Sequence, residues 1–241
     1  MQTIEYESGV GVWGIYCEYS TLFVVSIMIC RAYLTPEEKN SISEQIPSWF
    51  GEIMTGLMLG DGSLRLHGKD ALLSLQIVNK EVVQKIWDIC FGLKLLVMPV
   101  KTLNRRTWLP IHYFQTFTIP YFTKLFSLWY TNGIKCLPTQ IGLMLTPLAI
   151  AHWVIGDGGF DSSGRGIGRV VLYTNNFTLA EVKLLQEILF SKYGIKSGLK
   201  KGQHTDPDRG YAIRISSTSV EAFRSICLPH MYPSMLYKLG L

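Results

Sequence analysis

Two similar stretches decide the fold of this chain: Thr55-Gly-Leu-Met-Leu-Gly-Asp-Gly-Ser63 and Ala151-His-Trp-Val-Ile-Gly-Asp-Gly-Gly159. Each is an apolar stretch with helical potential that ends in Gly-Asp-Gly, and such glycines suit a helix C-terminus or a close backbone approach. Pro47 and Pro147 stand just upstream, where proline is tolerated in a first helical turn. The repetition predicts two structurally related units in tandem.

The segments that follow the two stretches also correspond in kind. Alternating and helical apolar patterns predict strands and helices in the same order in each half. The elements expected in the first half span 63–67, 71–78, 80–95, 97–103, 112–119 and 121–130, and those in the second span 168–174, 178–193, 196–201, 211–216 and 219–226. We therefore expect an α+β protein of two pseudo-symmetric αββαββα units, 46–140 and 141–241, each with one antiparallel sheet.

Residues 1–45 lie outside the repeat and form an N-terminal extension of unknown role. Its most apolar run, Leu22–Cys30, is far shorter than the roughly 20 residues that span a bilayer, and it lacks the basic start and cleavage site of a secretory leader. We interpret this run as a buried strand or helix, or as a remnant of fused upstream coding sequence. No membrane association is expected.

Composition limits the classes of function. The chain has 241 residues, of which 48% are hydrophobic, so it can bury a substantial core and general disorder is excluded. Its net charge of +5 suits a polyanionic partner, although a solvated basic surface explains the charge equally well. The five cysteines lie far apart with no C-x-x-C pair, so neither a zinc site nor a disulfide framework is indicated, and a reducing compartment fits best.

Glycine spacing within the first stretch suggests how the two units meet. Gly56 and Gly60 are one helical turn apart and leave a stripe free of side chains, along which a second helix can pack closely; Gly156 is the equivalent of Gly60. Two such helices would bring Asp61 and Asp157 side by side. Carboxylates that close require a cation or a proton between them.

A paired-carboxylate site of this kind suits Mg²⁺, which uses carboxylate and carbonyl oxygens and takes its remaining ligands from water and substrate phosphate. It is therefore a candidate phosphodiester-cleaving centre. The alternative is that each Gly-Asp-Gly is an ordinary turn between a helix and a strand. The presence of two such triplets, each opening a similar unit, favours the active-site interpretation.

Together these residues resemble the paired LAGLIDADG motifs of single-chain homing endonucleases, in the intron-encoded organellar branch of that family. Further segments of the chain extend the resemblance over residues 35–241: Trp129-Tyr-Thr-Asn-Gly-Ile-Lys-Cys-Leu-Pro138, Leu145-Thr-Pro-Leu-Ala-Ile-Ala-His-Trp153, Asn176-Phe-Thr-Leu-Ala-Glu-Val182 and Tyr232-Pro-Ser-Met-Leu-Tyr-Lys-Leu239. Leu59 and Ile155 stand where the name-giving pattern has its first acidic residue, which leaves one catalytic carboxylate per repeat. His152 replaces a small residue or tyrosine, and we interpret it as a packing residue.

The resemblance implies roles for individual residues. Asp61 and Asp157 would ligate Mg²⁺, with the backbone carbonyls of Gly60 and Gly156 completing each shell; Mn²⁺ would substitute, and Ca²⁺ would support binding without cleavage. Catalytic roles are also implied for a lysine and a polar strand residue near each carboxylate, with Asn175 as the counterpart of Gln76: Lys135, Lys238, Gln76 and Asn175. The products would carry 5′-phosphate and 3′-hydroxyl ends with short 3′ overhangs.

The DNA-binding surface is expected on the concave faces of the two sheets, which would form a saddle, because strands present alternate residues to one side and can enter the major groove. Paired basic clusters, Asn104–Thr107 and Lys200–His204, are expected at equivalent positions. The candidates are Arg65, His67, Lys69, Gln76, Lys101, Arg105, Arg106, Gln115, Arg165, Arg169, Lys200, Lys201, His204, Arg209 and Arg214.

The expected function is therefore site-specific cleavage of a long asymmetric double-stranded DNA target by a monomer. The resemblance also implies that the reading frame lies in a mobile intron of an organellar genome, mitochondrial in preference to chloroplast. Two alternatives stay open at this point: an RNA-binding maturase, whose partner would be its intron RNA, and a structural nucleic-acid-binding protein without nuclease activity. Retention of both aspartates and both lysines favours the nuclease.

Overall fold

The computed structural model describes residues 34–106, 108–162 and 168–241, which belong to one compact unit. The Leu22–Cys30 run and Arg165 lie outside the described residues, so the expectations for them stay predictions. Within the described ranges, no helix is long and apolar enough to cross a membrane. The described part of the N-terminal extension contains helix α1 (Pro36–Glu44), whose first turn carries a capping box between Thr35 and Glu38.

The order αββαββα, predicted for each half, is confirmed. The first repeat consists of α2 (Ser48–Leu59), β1 (Ser63–His67), β2 (Asp70–Ile77), α3 (Lys80–Gly92), β3 (Lys101–Leu103), β4 (Ile111–Gln115) and α4 (Pro120–Trp129). A connecting hairpin, β5 (Tyr130–Thr131) and β6 (Ile134–Lys135), and a short helix, α5 (Ile141–Met144), follow. The second repeat consists of α6 (Pro147–Asp157), β7 (Gly158–Asp161), β8 (Arg169–Tyr173), α7 (Leu179–Tyr193), β9 (Ser197–Lys201), β10 (Tyr211–Ile215) and α8 (Val220–Cys227). A 3₁₀ segment, Pro233–Leu239, lies near the C-terminus.

Each repeat contains one four-stranded antiparallel sheet, and the two sheets have the same topology. The strand orders are β1-β2-β4-β3 and β7-β8-β10-β9. One face of each sheet packs on the core, where residues such as Leu73, Leu75, Leu172 and Ile213 are fully buried. The opposite, outer face carries the alternate residues of the same strands and is available to a partner.

Several local features differ from the sequence expectations. Strand β7 and helix α5 were not among the expected elements, and the strand expected over 97–103 is limited to β3. Helix α3 ends at Gly92 rather than Leu95 because the chain reverses at Lys94, which has φ of +58°, and the amide of Leu95 donates to the Cys90 carbonyl. The hairpin of β5 and β6 was not predicted. Its turn is Asn132-Gly133, with both residues at positive φ, which is a frequent two-residue hairpin turn.

Candidate active site

Helices α2 and α6 form the centre of the molecule and approach each other as the glycine spacing predicts. A Cβ atom added to Gly56 would lie 2.4 Å from the Ala149 carbonyl oxygen and 2.5 Å from the His152 Cβ. At the helix ends, a Cβ on Gly60 would lie 3.3 Å from the Gly156 Cα. Because these glycines have no side chains, the two helices approach closely. Asp61 and Asp157, which directly follow Gly60 and Gly156, therefore lie together at one edge of the interface.

His152 lies in this interface as a packing residue. Its side chain is buried, and its Nδ1 lies 3.0 Å from the Leu148 carbonyl oxygen, which can only accept. The ring therefore carries its proton on Nδ1, and Nε2 accepts from the Tyr232 hydroxyl at 3.3 Å. Burial lowers the pKa of His152 to about 4, so the ring is neutral at physiological pH.

The two carboxylates share one electrostatic environment with two lysines. Burial raises the pKa of Asp157 to about 6, aided by the carboxylate of Asp61 and opposed by Lys135 and Lys238. Burial also raises the pKa of Asp61, against the same two lysines, although part of its side chain reaches solvent. A site that disfavours two neighbouring negative charges in this way gains from a bound cation.

Each lysine holds the end of one of the two central helices. The Lys135 ammonium donates to the carbonyls of Gly62 at 2.8 Å and Gly60 at 3.3 Å. The Lys238 ammonium, which is nearly buried, donates to the Ile155 carbonyl at 2.7 Å and to the Gly156 carbonyl. Burial lowers the pKa of Lys135 to about 8 and lowers that of Lys238, and in both cases the aspartates oppose this shift.

These hydrogen bonds bear on the proposed metal ligands. The Gly60 and Gly156 carbonyls each accept from a lysine, which leaves one oxygen lone pair on each for a cation. Across residues 34–106, 108–162 and 168–241, no group of three His, Cys, Asp or Glu side chains could hold a metal. The protein would thus supply two carboxylates and backbone oxygens, a hard donor set that fits Mg²⁺ if water and phosphate complete the shell.

Two grooves flank the carboxylates, and each contains one of the lysines. The first, which we call the Lys135 groove, has a volume of about 460 Å³ and is lined by Asp61, Asp157, Lys135, Tyr173 and Asn175, among others. The second, the Lys238 groove, has a volume of about 540 Å³ and is lined by Asp61, Gln76, Arg105 and Lys238, among others. All six side chains predicted to be catalytic therefore line one of the two grooves.

Sequence reasoning missed several polar residues of the grooves. The Lys135 groove also contains Ser63, Tyr130 and Asn176, and the Lys238 groove contains Asn79 and Tyr237. Tyr130 belongs to the same hairpin as Lys135 and pairs with it, and its hydroxyl accepts from the Leu64 amide at 3.2 Å. The Asn132-Gly133 turn was the available signal for this hairpin.

Strand pairing establishes which positions of the two repeats correspond. Ser63, two residues after Asp61, pairs with Ser74, and Gly159, two residues after Asp157, pairs with Val171. Two residues further along β2 and β8, Gln76 therefore corresponds to Tyr173. This corrects the expectation that Asn175 is the counterpart of Gln76, because Asn175 follows the end of β8.

The same register relates the basic residues of the outer strands. Gln76 pairs with Tyr113, which pairs with Lys101 in β3. Tyr173 pairs with Ala212, which pairs with Lys200 in β9. Lys200 thus corresponds to Lys101, and not to the Asn104–Thr107 cluster as the sequence suggested.

On the first sheet, several predicted DNA-binding residues share the outer face. Cross-strand partners lie on the same face, so the pairings place together Arg65, His67, Gln76, Lys101 and Gln115. All five side chains are exposed. Lys69 is exposed in the β1–β2 turn and Arg106 in the β3–β4 loop, while the Arg105 guanidinium donates to the Leu109 carbonyl at 2.9 Å within that loop.

On the second sheet, the outer face combines three cations with one carboxylate. The pairings place Arg169, Lys200 and Arg214 on this face together with Asp161. The Asp161 carboxylate lies 3.2 Å from the Lys200 ammonium and 3.5 Å from the Arg214 guanidinium. Arg214 corresponds to Gln115 of the first sheet.

Lys201 lies on the opposite face from Lys200, because neighbouring residues of a strand alternate. Its ammonium donates to the carbonyls of Pro207 and Arg209, both at 2.7 Å, and lies 3.8 Å from the centre of the Tyr211 ring. This corrects the expectation that the two lysines form one DNA-contacting pair. Arg209 donates to the Asn176 carbonyl and pairs with Asp206, and His204 accepts from the Asp206 amide, so these three residues hold the β9–β10 loop.

The sequence profile of the LAGLIDADG DNA endonuclease family matches residues 51–223. The chain belongs to this family. Cytochrome b mRNA maturase bI2 of Debaryomyces hansenii is 42% identical over 127 residues, which cover 53% of this chain and 45% of the maturase. The intron-encoded endonuclease ai4 of Dictyostelium discoideum is 35% identical over 129 residues, or 53% of this chain and 76% of that protein.

The LAGLIDADG fold is also shared with a solved structure. The homing endonuclease I-WcaI bound to its DNA recognition sequence superposes with a TM-score of 0.72 at 24% sequence identity, covering 83% of this chain and 90% of that one. The match with the Debaryomyces maturase spans less than half of that relative's length.

Proposed function

We propose that this chain is a site-specific endonuclease that cuts both strands of a long asymmetric DNA target by metal-dependent hydrolysis of phosphodiester bonds. The observation that carries the proposal is the arrangement of Asp61 and Asp157 at the touching ends of two helices, each end held by the ammonium group of a lysine. A purely structural nucleic-acid-binding protein has no need of two carboxylates with raised pKa values beside two lysines with lowered pKa values.

The proposed cofactor is Mg²⁺, with Mn²⁺ able to replace it and Ca²⁺ supporting binding without cleavage. Asp61 and Asp157 would hold the cation, with the free lone pairs of the Gly60 and Gly156 carbonyls as further ligands. A bound divalent ion supplies a lowered pKa for coordinated water and charge compensation at the phosphate.

The protein groups around this position would orient the water and the phosphate and would stabilise the charge that develops on the phosphate. The Lys135 and Lys238 ammonium groups are fixed by two carbonyl acceptors each, so their position is set before substrate binds. An ammonium with a third, unused N–H can donate to a phosphate oxygen as negative charge develops there. The Gln76 amide, exposed in the Lys238 groove, can hold a water molecule or a phosphate oxygen.

DNA is proposed to lie along the outer faces of both sheets. Arg65, Lys101 and Gln115 on one sheet and Lys200 and Arg214 on the other have the donors that read base edges or neutralise phosphates. Each sheet would cover a half-site of roughly 10 bp, or about one duplex turn. Because both repeats belong to one chain, a monomer would suffice.

The test is selection of cleaved sites from a randomised or genomic duplex library in Mg²⁺ and, in parallel, in EDTA. The proposal requires one enriched long site, cut on both strands in Mg²⁺ and intact in EDTA. If no duplex is cut under any divalent ion while the folded chain still binds nucleic acid, the nuclease proposal is wrong.

A second candidate function is that of an RNA maturase encoded in an organellar intron. The observation in its favour is the 42% identity to a protein named as a cytochrome b mRNA maturase. This relationship also supports an organellar origin, which we propose to be mitochondrial. Splicing of the host intron in vitro, with and without the protein, tests this function, and an Asp61→Asn variant that still promotes splicing would separate it from cleavage.

A further inference from the structure

The two grooves differ at one corresponding position of the sheets. In the Lys238 groove, β2 presents Gln76, and in the Lys135 groove, β8 presents Tyr173 at the same register. Each groove thus combines the lysine of one repeat with a strand residue of the other. The Tyr173 side chain is 43% exposed, and within the described residues its hydroxyl has no hydrogen-bond partner in the protein.

A second difference between the repeats, Gly159 in place of Ser63, makes room for the tyrosine ring. A Cβ atom on Gly159 would lie 3.2 Å from Tyr173 Cε2 and 3.8 Å from its hydroxyl oxygen, so the ring rests directly over this glycine. Gly159 does not have a positive φ, so backbone conformation does not explain why it is glycine. The corresponding residue of the first repeat is Ser63, whose hydroxyl donates to the Ser74 carbonyl at 3.1 Å. The pair Ser63 and Gln76 is therefore exchanged for the pair Gly159 and Tyr173.

This exchange fixes the phenol beside the reactive groups. Gly159 follows Asp157 by two residues, and Tyr173 and Asp157 line the same groove as Lys135. The ring occupies the space beside Gly159 that a side chain there would need, and the Tyr173 side chain lines the groove. A hydroxyl, like the amide of glutamine, both donates and accepts, so it can hold water or a phosphate oxygen.

We propose that Tyr173 is a catalytic residue of the Lys135 groove, where its hydroxyl contacts the scissile phosphate or the attacking water in the place that the Gln76 amide takes in the Lys238 groove. This inference rests on the proposed endonuclease function. The two DNA strands are consequently cut with the help of unlike groups, a phenol for one strand and an amide for the other.

The experiment measures single-turnover cleavage of a selected target with each strand labelled separately. Tyr173→Phe removes only the hydroxyl, and we expect it to slow one strand by about 10²-fold, as loss of a positioned donor commonly does, while leaving affinity in Ca²⁺ unchanged. Gln76→Ala should slow the other strand. Because the two variants act on opposite strands, the orientation of the DNA need not be known in advance.

A matched control and a coupling test complete the design. Tyr193→Phe removes a phenol that donates to the Leu145 carbonyl outside both grooves, and it should leave both strand rates unchanged. Gly159→Ala should displace the Tyr173 ring by a few tenths of an ångström and slow the same strand as Tyr173→Phe. In the Tyr173→Ala background, where the ring is absent, Gly159→Ala should have no further effect on that strand.

The outcomes separate this inference from the proposed function. A wild-type chain that cuts no duplex overturns the endonuclease proposal and this inference with it. A wild-type chain that cuts both strands, with a Tyr173→Phe variant that cuts both at the wild-type rate or slows both equally, overturns the role of Tyr173 alone. Loss of affinity without strand-selective slowing would assign Tyr173 to binding and likewise overturn the inference.

Discussion

The close approach of α2 and α6 at Gly56 makes a quantitative prediction. An alanine Cβ there would lie 2.4 Å from a backbone oxygen, whereas ordinary contact begins at 3.4 Å, so the helices must separate by about 1 Å. Backbone cannot move aside as the end of a side chain can. We expect Gly56→Ala to lower the free energy of unfolding by about 3 kcal/mol, the upper end of the usual range for overpacked cores.

Two assays test this prediction. Urea unfolding measures the stability of the variant, and single-turnover cleavage is measured without urea at a temperature where the variant is fully folded. A loss of about 3 kcal/mol moves the urea midpoint by roughly 1 M. Because the same separation displaces one aspartate relative to the other, we also expect the cleavage rate to fall by about 10²-fold.

The matched control for this substitution is Gly92→Ala at the end of α3, where an added Cβ has no neighbour within 4 Å. Alanine is preferred over glycine in helices, so this variant should be as stable as the wild type or about 0.5–1 kcal/mol more stable. If Gly56→Ala matches Gly92→Ala in both stability and cleavage rate, the tight helix pair is not what holds the carboxylates together.

Three further predictions concern the charged groups. Lys135→Met and Lys238→Met should each lower the single-turnover rate by roughly 10²-fold with little change in affinity. Equal losses in rate and in affinity would instead indicate plain phosphate contacts. Lys200→Ala should reduce the slope of log affinity against log salt by about one, and Lys201→Ala, on the opposite face, should not; an equal effect of both would contradict the placement of DNA on the outer face. At limiting Mg²⁺ the cleavage rate should rise with pH through about 6, as Asp157 ionises, and fall above about 8, as Lys135 loses its proton. Saturating Mg²⁺ should move the rise in rate to lower pH, because a cation favours the ionised carboxylate. A rate that shows neither the rise near pH 6 nor the fall above pH 8 would refute these roles of Asp157 and Lys135.

The same pKa values predict how the metal-free protein responds to pH. The pKa of Asp157 is raised in the folded state, so the folded state binds the proton more tightly and stability is lost as pH rises from about 4 to about 6. The carboxylate is half-buried, so the effect is moderated by solvent. Urea midpoints at pH 4.5 and 7 in EDTA, compared with those of Asp157→Asn, measure this contribution.

The sequence predicted most of the fold because the repeat and the apolar periodicities are local signals. Strand register is not local, and it is what assigned Tyr173 rather than Asn175 to the position of Gln76. Sequence spacing suggested Asn175 because the loops after β2 and β8 differ in length.

The orientation of individual lysines could not be predicted for a related reason. Lys200 and Lys201 are neighbours in sequence, but alternation along β9 sends one to the outer face and the other to carbonyls of the following loop. Likewise, nothing in the sequence indicates that Lys135 and Lys238 donate to the carbonyls at the ends of α2 and α6. Those contacts depend on the tertiary placement of the β5–β6 hairpin and the C-terminal 3₁₀ segment.

The most direct test of the central claim is cleavage by Asp61→Asn and Asp157→Asn. Asparagine keeps the size of the side chain and removes the charge that would hold a cation. Each variant should bind the selected duplex in Ca²⁺ with an affinity close to that of the wild type and should produce no double-strand break in Mg²⁺. Full double-strand cleavage by either variant would contradict the account, because the paired carboxylates would then not carry the reaction.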